Sequence, residues 1–129
     1  MQGFLKELGS EGEGAAAAFL EGRGFRILAK NYRCRLGEVD LIVQKKGLKA
    51  EKILFVEVKT RRSIDTVSPL ELISRSKQKH ISRVAQHYFA SKKLNDVSGD
   101  FALVTVHWAS DEKPICELIE GIFDLAWGY

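Results

Sequence analysis

The sequence offers little from which a disulfide framework, a zinc site or a membrane span could be built. Only two of the 129 residues are cysteines, Cys34 and Cys116, and they lie far apart without the paired spacing of a zinc site. Both read as reduced thiols. The three histidines form no pair at the spacing of three or four that metal sites use: His80 and His87 are seven apart and His107 is distant, so they read as surface or interface residues. The longest apolar run near the start, Ala15 to Leu20, is far too short for a bilayer, and no basic stretch followed by an apolar core marks a leader. No membrane association is expected, and the cytoplasm is the expected location. Two prolines and scattered glycines leave no disordered or collagen-like segment. The "GSEGEG" stretch lacks the lysine and hydroxyl residue of a phosphate-binding loop and follows no strand, which argues against nucleotide binding.

What is present suits one globular domain over residues 1–129, with 45% apolar and 29% charged residues. The net charge of +3 is unevenly spread: residues 59–93 hold nine Lys and Arg against two Asp and Glu, and residues 94–129 hold one against seven. A localised basic region favours a polyanionic partner, although a solvated basic helix has the same composition.

The pattern predicts alternating elements. Ser10 to about Glu21 reads as a helix, opened by a capping box of Ser10 with Glu13, carrying Ala16, Ala17 and Leu20 on one face and ended by Gly22 and Gly24. A short strand around Phe25 to Leu28 follows. Glu38 to Gln44 alternates, with Val39, Leu41 and Val43 on one side and Glu38, Asp40 and Ile42 on the other. Ile53 to Lys59 alternates too, and the two should form an antiparallel hairpin. Ser68, Pro69 and Glu71 mark a helix start; the spacing of Ile81, Val84, Ala85, Tyr88 and Phe89 carries helix to about Lys92, with a break near Ser74 to Ser76. Phe101 to Trp108 and Ile115 to Ile119 read as later strands. The fold class is α/β, a mixed sheet flanked by helices.

A hairpin turn centred near Leu48 and Lys49 sets Asp40 opposite Glu57, with Lys59 two residues further on the same face. Facing carboxylates repel, so such a pair points to a bound cation, and an all-oxygen donor set points to a hard one such as Mg²⁺ or Mn²⁺. That chemistry suits phosphodiester hydrolysis: Asp40 and Glu57 holding the metal, Lys59 orienting or helping to deprotonate the attacking water. The bland alternative is a wet strand face. Ile53 and Phe55 beside Glu57, and Ile42 beside Asp40, argue that the face is partly covered.

The segments "GEVDLIV" and "ILFVEVKTR" resemble the PD-(D/E)XK nuclease motif. With "GEGAAAAFLEGRGFRILAKNYRCRLGEVDLIV", "KQKHISRVAQHYF" and "LIEGIF" they are similar, over nearly the whole chain, to the YraN family of small bacterial proteins. The resemblance implies a restriction-endonuclease-like fold related to Holliday junction resolvases, with a metal-dependent nuclease site. It matches Asp40 to the motif's aspartate, Glu57 and Lys59 to its ExK pair, Glu13 to a glutamate of the first helix and Lys77 to a basic residue opening the later helix. Two departures stand out. Val39 replaces the motif's proline, and Ala102 in "GDFALVTV" stands where an Arg-Phe-Asp sequence would place a second acid.

Further candidates follow from position. Lys77 lies one turn before Ile81 and should aim at the sheet, within reach of a phosphate. Arg61 and Arg62 leave the catalytic strand together toward a nucleic-acid backbone, while Lys79 and Arg83 on an exposed helix face would add affinity. Glu38 should support Arg33 or Arg35. The expected partner is DNA, branched or otherwise structured, ahead of RNA, and junction-cleaving relatives of the fold make a homodimer an expectation. The alternative is a nuclease-fold module that binds DNA or protein without cutting.

Overall fold

In the computed structural model, residues 2–45, 52–61, 73–94, 97–108 and 113–121 are described, with residues 2–10 and Arg61 described by their backbone alone. The elements run α1 (Gln2–Gly22), β1 (Phe25–Cys34), β2 (Gly37–Lys45), β3 (Lys52–Arg61), α2 (Arg75–Ser91), β4 (Ser98–Trp108) and β5 (Pro114–Glu120). The five strands form one sheet in the order β1-β2-β3-β4-β5. Only β3 and β4 are parallel, and they are the pair joined through α2, because parallel neighbours require a crossover. The α/β class with a mixed sheet flanked by helices is thus the architecture of the chain.

The central strands are apolar on both sides. Ile53 to Val56 and Phe101 to Val104 are all buried, as expected of strands with a helix on each face. One face packs Ile42, Ile53, Phe55, Phe101 and Leu103 against Ile81, Val84, Ala85 and Tyr88 of α2. The other packs Leu41, Val43, Leu54, Val56, Ala102 and Val104 under Ala16, Ala17 and Leu20 of α1. Ala102 is fully buried beneath α1, so the position that departs from the motif lies on the face opposite Glu57.

The structure differs from the sequence reading in three places. First, α1 continues through Ser10 back to Gln2, so Ser10 lies within the helix and not at its start. Leu, Lys and Glu before it are strong helix formers, and a capping pattern is only a local bias. Second, β1 extends to Cys34. Third, the alternation of β2 breaks at Asp40: Val39 packs with the α2-side cluster, not with Leu41 and Val43. The cause lies in the pairing. The β1–β2 ladder joins Lys30 to Leu41 and Tyr32 to Val39 but omits Asn31 and Asp40, and the β2–β3 ladder ends at Leu41 and Val56. Asp40 is therefore outside regular pairing on both sides. The helix start at Ser68 lies outside the described residues; α2 is capped by Ser74, whose Oγ accepts the Lys77 N–H at 3.1 Å.

Candidate active site

The expected turn at Leu48 and Lys49 lies outside the described residues; the β2–β3 register pairs Leu41 with Val56, and one step beyond this last pair Asp40 would oppose Glu57. There the strands part. Instead of a ladder bond, the Val58 N–H donates to Asp40 Oδ2 at 2.8 Å, so the carboxylate wedges the strand ends open. Glu57 lies in this opening and is only 6% exposed, which is rare for a carboxylate. Its Oε1 faces two ammonium groups, Lys77 at 3.5 Å and Lys59 at 4.0 Å. Its Oε2 is buried and has no hydrogen-bond partner among the described residues.

The electrostatics follow from this crowding. Burial, then the negative charge of Asp40, pushes Glu57 up to about 7, with Lys77 and Lys59 opposing the shift. Asp40 is also raised, chiefly by burial, against the Val58 N–H bond and the charge of Lys77. Glu13, on α1, lies near Asp40 and not in contact with Glu57: it is raised by burial and then by the charge of Asp40, while a hydrogen bond from the Asn31 side chain opposes the shift. The helix can approach because residue 12 is glycine: a Cβ there would overlap Thr60 Oγ1 on β3.

A buried carboxylate raised by burial and by the charge of Asp40, with one oxygen left unpaired, forms with Asp40 a set that a divalent cation would complete. Such an orphaned oxygen costs about 1–3 kcal/mol and is expected at functional sites. Asp40 and Glu57 fit a hard cation that keeps water in its remaining positions. Among the described residues no three His, Cys, Asp or Glu side chains converge into a metal-binding group.

Asp40, Glu57, Lys59 and Lys77 come together, with Lys77 in direct contact with Glu57, and Glu13 is near Asp40 from the α1 side. Lys79 and Arg83 are exposed on α2, and with Arg75, which the sequence reading passed over, they form a basic stripe at four-residue spacing. Arg61 lies at the end of β3, and Arg62 lies outside the described residues. Glu38 pairs with Arg33 at 2.8 Å, and its charge adds to the upward shifts of Asp40 and Glu13. The histidines separate: His80 is exposed, His87 Nδ1 is bonded to the Tyr32 hydroxyl at 3.1 Å, and His107 has a buried Nδ1. Both cysteines are free thiols. Asn31 was also missed, and its signal was an amide residue inside an otherwise strand-forming run. No described helix is long and apolar enough to cross a membrane.

Comparison with known proteins gives one family. The model of "Uncharacterised protein family UPF0102" matches residues 12–106. A UPF0102 protein of Caldicellulosiruptor saccharolyticus is 42% identical over 102 residues, covering 79% of this chain and 83% of that one. One from Syntrophus aciditrophicus is 41% identical over 120 residues, covering 93% and 91%. One from Dictyoglomus thermophilum is 47% identical over 88 residues, covering 68% and 71%. Among solved structures, Pyrococcus furiosus SfsA in complex with Ca²⁺ aligns at TM-score 0.38 and 13% identity, covering 79% of this chain and 57% of that one.

Proposed function

The chain belongs to the UPF0102 family, which is the YraN family, and from this premise and the site we propose a cytoplasmic, metal-dependent nuclease that hydrolyses phosphodiester bonds of DNA. The observation that carries the reading is the buried Glu57 carboxylate, with one oxygen unpartnered, at the point where β2 and β3 part beside Asp40. A pure binding module gains nothing from a buried carboxylate that repels its neighbour.

Asp40 and Glu57 would hold Mg²⁺ or Mn²⁺. When bound, the cation supplies Lewis-acid stabilisation of the phosphate and water acidic enough to attack near neutral pH. The chain's own residues do the rest. Hydrolysis forms a bond from a water oxygen to phosphorus and breaks a P–O ester bond; the water loses a proton and the leaving oxygen gains one. Lys59 Nζ, partly exposed 4.0 Å from Glu57, would hydrogen-bond the attacking water and offset charge on the phosphate. Lys77 Nζ, closer to Glu57, favours the ionised form needed for a cation ligand. Glu13 would orient water from the α1 side. Arg75, Lys79 and Arg83, with Arg61 and Arg62, would bind the DNA backbone. We extend the proposal to a single nuclease domain over residues 1–129, to branched or structured DNA ahead of RNA, and to action as a homodimer.

The competing reading is a non-cutting DNA- or protein-binding module on the same fold. A panel of branched, single-stranded and duplex DNA and of RNA, incubated with Mg²⁺, Mn²⁺ or EDTA, separates the two. Cleavage that EDTA abolishes supports the nuclease, and binding without cleavage supports the module.

A further inference from the structure

Asn31 has a left-handed backbone, φ 50°, within strand β1. Apart from glycine, the only other described residue with positive φ is Lys93, in the turn after α2, where the chain reverses. A strand interior has no such need. Asparagine tolerates the left-handed region better than most residues, but the conformation still costs energy and usually marks a functional constraint. Here it coincides with the gap in the β1–β2 ladder, where Asn31 and Asp40 face each other unpaired between Lys30–Leu41 and Tyr32–Val39. Strand pairing is interrupted beside the one residue of β2 whose carboxylate reaches into the site.

On the α1 side, Glu13, Gly14, Lys30, Asn31 and Leu41 line an open recess of about 230 Å³. Asn31 and Glu13 meet across it, the amide donating to the carboxylate. The residue type matters. A carboxylate at position 31 would repel both Glu13 and Asp40, and a residue without a donor would leave Glu13 free to turn to solvent.

We propose that Asn31 is a positioning residue whose left-handed backbone and side-chain amide hold the Glu13 carboxylate beside Asp40. The assignment rests on the nuclease reading for its chemical purpose. It makes α1 and β1 a single support for the site, with Gly12 setting the depth of the helix and Asn31 the direction of the carboxylate.

The test is a mutant cycle of Asn31→Gly, Glu13→Gln and the double variant, read by Mn²⁺ dissociation constant in calorimetry and by kcat and KM for DNA cleavage. Glycine accepts φ 50° without strain, so the thermal midpoint of Asn31→Gly reports whether the fold is kept. Asn31→Gly should lower kcat by about tenfold with KM unchanged, weaken Mn²⁺ binding as Glu13→Gln does, and add nothing further in the double variant. Wild-type affinity and rate in Asn31→Gly, or losses that multiply in the double variant, overturn the positioning role and leave the nuclease reading standing. The expected Mn²⁺ cycle in a wild type that cuts no substrate upholds the positioning role and overturns the nuclease reading. A wild type that binds no Mn²⁺ overturns both.

Discussion

Replacing Glu57 with glutamine should stabilise the metal-free protein, by an amount that grows from about pH 4.5 to about pH 7 and then levels off. Glu57 titrates near 7 instead of 4.5, so the folded chain holds this proton more tightly than the unfolded chain does. A raised carboxyl contributes stability that is fully present below its unfolded pKa and is lost as pH rises through its folded pKa. The wild type should therefore lose stability between about pH 4.5 and 7, by about 3 kcal/mol at 1.36 kcal/mol per tenfold change in proton affinity. That is a large fraction of the 5–15 kcal/mol typical of a domain. Glutamine keeps the shape and does not titrate. Urea unfolding in EDTA should thus show Glu57→Gln close to wild type at pH 4.5 and more stable by about 2–3 kcal/mol at pH 8. Equal differences at both values, or a less stable variant at pH 8, would refute the claim that burial and Asp40 strain this carboxylate.

Three further outcomes follow from the geometry. Gly14→Ala meets open space and should stabilise α1 by about 0.5–1 kcal/mol, whereas Gly12→Ala meets Thr60 and should destabilise by about 1–3 kcal/mol, with Thr60→Ala restoring much of the loss in thermal unfolding. Manganese should raise the thermal midpoint of wild type and not of Asp40→Asn; equal shifts would remove the cation from this pair. Changing Arg61, Arg62, Lys79 and Arg83 together to alanine should weaken DNA binding and flatten its salt dependence, and an unchanged slope would place the nucleic acid elsewhere.

The parts legible in the sequence were those set by short-range pattern. Alternation in residues 38–44 and 53–59 located β2 and β3, and the hairpin register, which ends at Leu41 and Val56 one step short of Asp40 and Glu57, followed from the expected turn position alone. The inward face of α2 was equally plain, since Ile81, Val84, Ala85 and Tyr88 repeat at helical spacing. What escaped was set by contacts between elements distant in sequence. The overlap a Gly12 Cβ would make with Thr60 is invisible until α1 lies on β3. The break in alternation at Asp40 depends on neighbours in both β1 and β3, and pattern reading assumes regular pairing. Asn31 shows its purpose only when Glu13 is brought across from α1. Ser10 misled because a capping pattern carries no information about the residues preceding it.

The central claim is that the opening between β2 and β3 is a hydrolytic centre, and Lys59→Ala tests it most directly. Lys59 is partly exposed and lies 4.0 Å from Glu57, so its loss should spare the fold. On a panel of branched, single-stranded and duplex DNA with Mg²⁺, wild type should cut at least one substrate. Lys59→Ala should abolish that cleavage while retaining Mn²⁺ affinity and most DNA affinity. A wild type that cuts nothing, or a Lys59→Ala preparation that cuts equally well, would contradict the account and favour a binding module on this fold.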